Sequence, residues 1–149
     1  MVGQFLGAKR ADLATKSAYY GYAVGGGAMT VIGLVFIFFG HWFAAILSDD
    51  PHIAQMTTTC LFITGTIQFG FAAALVFGGA LRGAGDTLAV MLLSLSTIVG
   101  WRLVGVLIVG LYFNLGLAAI WLVLASELVL RGTAVFLRFW HGGWKRIEL

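Results

Sequence analysis

Charge is scarce in this chain of 149 residues: 10% are Asp, Glu, Lys or Arg, against 60% hydrophobic. Soluble domains carry roughly a quarter charged residues, so a mean hydropathy of +0.99 marks an integral membrane protein, with the lipid bilayer as its first partner. Cysteine is nearly absent. Cys60 stands alone, which excludes an intrachain disulfide and a cysteine-based metal site. Proline occurs once, while the 21 glycines suit membrane helices, where glycine lets backbones approach closely. No Gly-Lys-Ser/Thr run, His-Glu-x-x-His or nucleophile elbow occurs, so no enzyme is expected. His41 and His52 fall toward one side of the bilayer and His141 on the other, so no metal site shared by the three is expected. The net charge of +3 is explained by topology and implies no nucleic acid.

What is present is apolar length. A spanning helix needs about 20 mostly apolar residues, and four segments qualify, at about 18–47, 53–81, 88–112 and 116–137. The predicted class is all-α, a polytopic membrane protein with a leading segment 1–17, a four-helix transmembrane part 18–137 and a tail 138–149. The first run is about twice the length of a signal-peptide apolar region, so it reads as an uncleaved anchor if translation begins at Met1.

Basic residues set the orientation. Lys9, Arg10 and Lys16 precede the first span, Arg82 lies between the second and third, and Arg138, Lys145 and Arg146 follow the fourth. The other loops hold Asp49, Asp50 and Asn114 but no Lys or Arg, so the positive-inside rule places both termini and the Arg82 loop in the cytoplasm. Tyr19, Tyr20, Tyr22, Trp140 and Trp144 are expected in an inner aromatic belt, with Trp42 and Tyr112 outside.

The stretch Gly78 to Thr87, GGALRGAGDT, reads as a cytoplasmic hinge. Arg82 and Asp86 are costly in hydrocarbon, while Gly83 and Gly85 permit the backbone angles that end a helix. Asp86 is expected to cap the next helix by accepting from the N–H of Leu88 or Ala89.

Within the spans, Ala18, Gly21, Gly25, Ala28 and Gly33 form a small-residue side of the first helix, expected to meet another helix closely. An unwound, ligand-binding segment at Gly25-Gly26-Gly27 is the functional alternative. Thr57, Cys60, Thr64, Gln68, Phe71 and Leu75 line one face of the second helix. That face suits either a water-filled cavity, with Thr64, Gln68 and Phe71 as transport-path candidates, or simple bonding between helices.

Arg102, Glu127 and Arg131 are the mid-membrane charges, each penalised by about 2.5–3.5 kcal/mol on insertion scales. Arg102 is ten residues before Tyr112 and Glu127 eleven after Gly116. Both then lie about 15–17 Å deep, and Glu127 is placed to bridge both arginines. Mutual neutralisation is the structural reading of this network; a proton or anion relay is the functional one.

Two stretches carry a family resemblance. Val2-Gly3-Gln4-Phe5-Leu6-Gly7-Ala8 and Gly79-Ala80-Leu81-Arg82-Gly83-Ala84-Gly85-Asp86-Thr87 resemble the cytoplasmic connections of multidrug and toxic compound extrusion (MATE) transporters. Asp49-Asp50-Pro51 resembles the family's acidic-proline outer loop, and Trp101-Arg102 the arginine its eleventh helix often carries. Such transporters have twelve helices in two lobes. The resemblance implies that this chain is the last four helices of the C-terminal lobe, with 1–17 the end of the preceding helix and its loop. The missing N-terminal helices of the transporter are then its partner, and the chain is expected to be inactive alone.

The resemblance further implies a plasma-membrane antiporter exporting organic cations or drugs in exchange for sodium or protons, with no other cofactor. Family branches that bind the coupling ion in the C-terminal lobe use an acidic residue on the helix matching the second one here. This helix has none, which moves the expected ion site to the missing N-terminal lobe. Two other readings remain open: a stand-alone four-helix membrane protein that binds or stabilises a partner, and a related lipid-linked saccharide flippase.

Overall fold

A computed structural model describes residues 1–146; residues 147–149, the end of the expected tail, lie outside that range. The elements are α1 (Val2–Gly7), α2 (Ala11–Leu47), α3 (Pro51–Gly83), α4 (Thr87–Tyr112), α5 (Gly116–His141) and a 3-10 turn at Gly143–Arg146. Helices α2 to α5 are the four long enough to cross a membrane, each with a stretch of mean hydropathy between 1.8 and 2.1. At 37 residues, α2 is roughly 55 Å long against a hydrocarbon core of about 30 Å. It therefore tilts or protrudes. Its first two turns, with Asp12 and Lys16, are the polar part.

Local chemistry fixes the helix ends. Asp50 accepts from the His52 N–H at 2.8 Å with Pro51 in the first turn, which satisfies a free donor where the chain enters α3. At the far end the Asp86 N–H donates to the Leu81 carbonyl (2.9 Å) and the Gly85 N–H to the Arg82 carbonyl (3.1 Å). Gly85 stands between them at φ +84°, the left-handed geometry that glycine alone adopts cheaply.

Helix α3 is central. It packs against α2 on one side and α5 on the other, while α4 leans mainly on α5. Both α3 contacts are glycine crossings. A Cβ on Gly33 would lie 2.6 Å from the Gly65 carbonyl oxygen, and one on Gly132 would collide with the Gly70 carbonyl. On the small-residue side of α2, Ala18 and Gly33 are buried and Gly21 and Gly25 face Val76 of α3 as expected, Gly40 and Ala44 extend the buried side, and Ala28 is exposed. Ala18, Gly25, Gly33 and Gly40 recur every seven or eight residues, which keeps one stripe against the neighbour over so long a helix. Gly25, Gly26 and Gly27 stay helical, so no unwound segment forms there.

The densest packing lies at the Arg82 end, where Leu6, Phe77, Leu81, Val135, Phe139 and Trp144 share one core. Trp144 corrects the aromatic-belt expectation. It is fully buried, stacked on Phe139 with ring centroids 4.9 Å apart, and its Nε1–H donates to the Phe139 carbonyl at 2.8 Å. The cause is Gly142, whose φ of +76° turns the chain back beneath α5. Trp140 is 71% exposed.

Trp144→Ala is expected to lower stability by about 3–5 kcal/mol and Trp140→Ala by less than about 0.5 kcal/mol, read by thermal unfolding in detergent. By the same assay Gly33→Leu and Gly132→Leu each destabilise by at least about 1–3 kcal/mol through overpacking. Gly27→Ala, whose Cβ meets no atom within 4 Å, does not lower the unfolding midpoint.

Candidate functional site

The buried carboxylate of Glu127 gathers the polar chemistry at mid-helix. Its side chain has no exposed surface. Arg102 Nη2 on α4 lies 2.9 Å from Oε2, Thr97 Oγ1 donates to Oε1 at 3.0 Å, and Arg131 Nε, one turn along α5, lies 3.6 Å from Oε1. The structure thus brings all three sequence-derived charges together. It also adds Thr97.

The backbone of α4 explains how Thr97 and Arg102 reach the same carboxylate. In a regular α-helix, residues five apart point about 140° away from each other. Here Thr97–Leu103 is π-helical, with bonds closing at five residues, so positions 97 and 102 share a face. A second π segment, Ile108–Tyr112, follows a short α stretch. Trp101 Nε1–H donates to Ser126 Oγ at 2.9 Å and ties the same two helices together beside the ion pair. Nothing in the apolar pattern announces the π segments. The available signal is a hydroxyl five residues before an intramembrane arginine.

On α3 the face expected to line a path is divided between its neighbours. Thr64 Oγ1 accepts from Trp121 Nε1–H on α5 at 2.9 Å and donates to the Cys60 carbonyl at 2.8 Å. Gln68 is buried toward α2, its Cγ near Gly33, and its Oε1 meets no donor. Phe71 is half-buried and Leu75 exposed. A cavity of about 460 Å³ opens elsewhere on α3, walled by Tyr22, Phe69, Phe77, Phe136, Thr66 and Thr133. Thr64, Gln68 and Phe71 do not line it.

At the hinge, Asp86 departs from the expected role. It occupies the N-cap position of α4, but its side chain makes no capping bond. Its Oδ2 is taken instead by Arg138 Nε at 2.8 Å, a charged donor that outcompetes a backbone N–H. This bond joins the start of α4 to the end of α5. Arg82 is exposed, and Gly83 sits against Gly3 so closely that a Cβ on Gly3 would strike its carbonyl. The two stretches that carry the family resemblance are therefore in contact.

A bundle of apolar spanning helices with short polar turns and a clamped intramembrane carboxylate defines a multi-pass membrane protein. The chain matches the MatE family over residues 1–108 and belongs to it. Among named relatives, "Probable multidrug resistance protein NorM" of Thermotoga maritima is 30% identical over 115 residues, 77% of this chain and 25% of that protein. The protein of the same name in Pasteurella multocida is 34% identical over 95 residues, 64% of this chain and 20% of the relative. "Uncharacterized transporter YDR338C" of Saccharomyces cerevisiae is 28% identical over 134 residues, 88% of this chain and 19% of the relative. The chain spans a quarter or less of the length of these relatives. No solved structure matches it.

Glu127→Ala is expected to destabilise the bundle by about 3–5 kcal/mol, because it strands two cations in a dry environment. The double variant Glu127→Ala/Arg102→Ala is expected to unfold at a higher temperature than the single one. Thermal unfolding in lipid nanodiscs checks the order.

Proposed function

We propose that this chain forms the last four helices of the C-terminal lobe of a MatE-family secondary antiporter. The complete transporter exports organic cations or drug-like compounds in exchange for sodium or protons, and these four helices act only with the helices that complete both lobes. The observation that carries the reading is the family match over residues 1–108, joined to relatives of which the match covers a quarter or less. Alternating access in such folds needs two repeats rocking about a central site. Four helices supply part of one.

Lys9, Arg10, Lys16, Arg82, Arg138 and Lys145 all fall at the hinge end and Asp49 and Asp50 at the other, which favours a plasma-membrane orientation with both termini and the hinge in the cytoplasm. Coupling is assigned to the remainder of the transporter: α3 carries no Asp or Glu, and Glu127 is held between two arginines.

Expressed alone in an efflux-deficient bacterial host, the chain is expected to leave ethidium accumulation at the level of an empty vector. Co-expressed with the about eight helices expected upstream of it, it lowers accumulation several-fold. Reduced accumulation with the chain alone would contradict the reading and favour a stand-alone membrane protein.

A further inference from the structure

The charges at mid-helix do not balance. Arg102 and Arg131 share one carboxylate, so two cations against one anion leave a single positive charge uncompensated. Their hydrogen bonding is incomplete as well. Arg131 Nε stands 3.6 Å from Glu127, beyond hydrogen-bond length, and Arg102 Nε–H is buried without an acceptor. Each guanidinium has five donors to place.

Among the described residues no further acid is available to them. Asp12, Asp49, Asp50 and Asp86 sit at helix ends, and Asp86 is already bonded to Arg138. Glu148 follows α5 by seven residues in sequence and lies outside the described residues. Yet the cluster is open to one side: the Arg102 side chain is 36% exposed and that of Arg131 21%. The surface around Arg102 is apolar and uncovered at Trp101, Leu103 and Val104. Hydrocarbon offers such a surface no acceptor.

We propose that this face is a docking surface for a transmembrane helix from outside the chain that bears a carboxylate at the depth of Arg102. Charge complementarity selects the occupant: a carboxylate beside the exposed parts of the Arg102 and Arg131 side chains neutralises the extra cation. The proposal rests on the reading that these four helices work with others, and it adds the chemistry by which one of those others is recognised.

The probe is a synthetic leucine-alanine helix of about 23 residues with one central Glu, compared with the same helix carrying Gln. Association with the labelled chain is followed by fluorescence energy transfer in phosphatidylcholine vesicles. The Glu helix is expected to bind at least tenfold more tightly than the Gln helix. Arg131→Met removes the excess charge but keeps the Arg102–Glu127 pair, and is expected to abolish the difference while circular dichroism shows the bundle still folded. Equal binding of the two helices overturns the proposal. A Glu preference that survives in Arg131→Met overturns it too, by placing the contact elsewhere. If including about one third phosphatidylglycerol erases the preference, a lipid phosphate occupies the face and the helix assignment falls. These outcomes are independent of ethidium export, so either reading is able to fail alone.

Discussion

A carboxylate that no water reaches sets the terms for half of this bundle. Glu127 is tolerable inside a membrane only if cations and donors surround it, and α5 by itself supplies just Arg131 at 3.6 Å. The remaining contacts come from α4, which otherwise buries less of itself than any other span. For Arg102 and Thr97 to converge, α4 gives up regular α-helical winding between Thr97 and Leu103. Placement of the middle of α4 thus follows chiefly from one charge, with Trp101–Ser126 beside it and Asp86–Arg138 at the hinge end as further ties to α5. The apolar face of α4 is interchangeable with lipid and gives it no reason of its own to stay.

The other half of the bundle is held by shape. α3 meets both neighbours through paired glycines, at Gly33 with Gly65 and Gly70 with Gly132, where side chains would hold the backbones apart. Because lipid tails are as apolar as leucine, such close contact replaces the hydrophobic effect as the source of attraction. At the hinge end the packing becomes that of a soluble core, with Phe139 against both Phe77 and Trp144 and Arg138 fastened to Asp86. That end brings both family-like stretches into contact at Gly3 and Gly83.

Much of this was legible in the residues. Spans are set by apolar length alone, and the depth count that levelled Arg102 with Glu127 needed only a tight loop between antiparallel helices; Asn114 and Gly116, at φ +49° and +81°, make that loop. Details of partner choice were not legible. Asp86 fits a cap by position, but Arg138 lies 52 residues away and only the fold reveals it. Trp144 carries the signature of an interfacial anchor until Gly142 folds it inward. The stripe on α3 is divided, with Thr64 turned to α5 and Gln68 to α2, because whether such residues meet a helix or a cavity depends on neighbours that sequence spacing does not specify. The π segments were invisible because they serve a contact between helices and leave no mark in hydrophobic period.

Hydrogen–deuterium exchange in nanodiscs tests the central claim, that Glu127 holds α4 in place, most directly, because it reads each helix separately. The account predicts that Glu127→Gln raises deuterium uptake across Thr97–Tyr112 while peptides from α3 stay protected. Unchanged protection of α4, or loss spread evenly over all four helices, would contradict it.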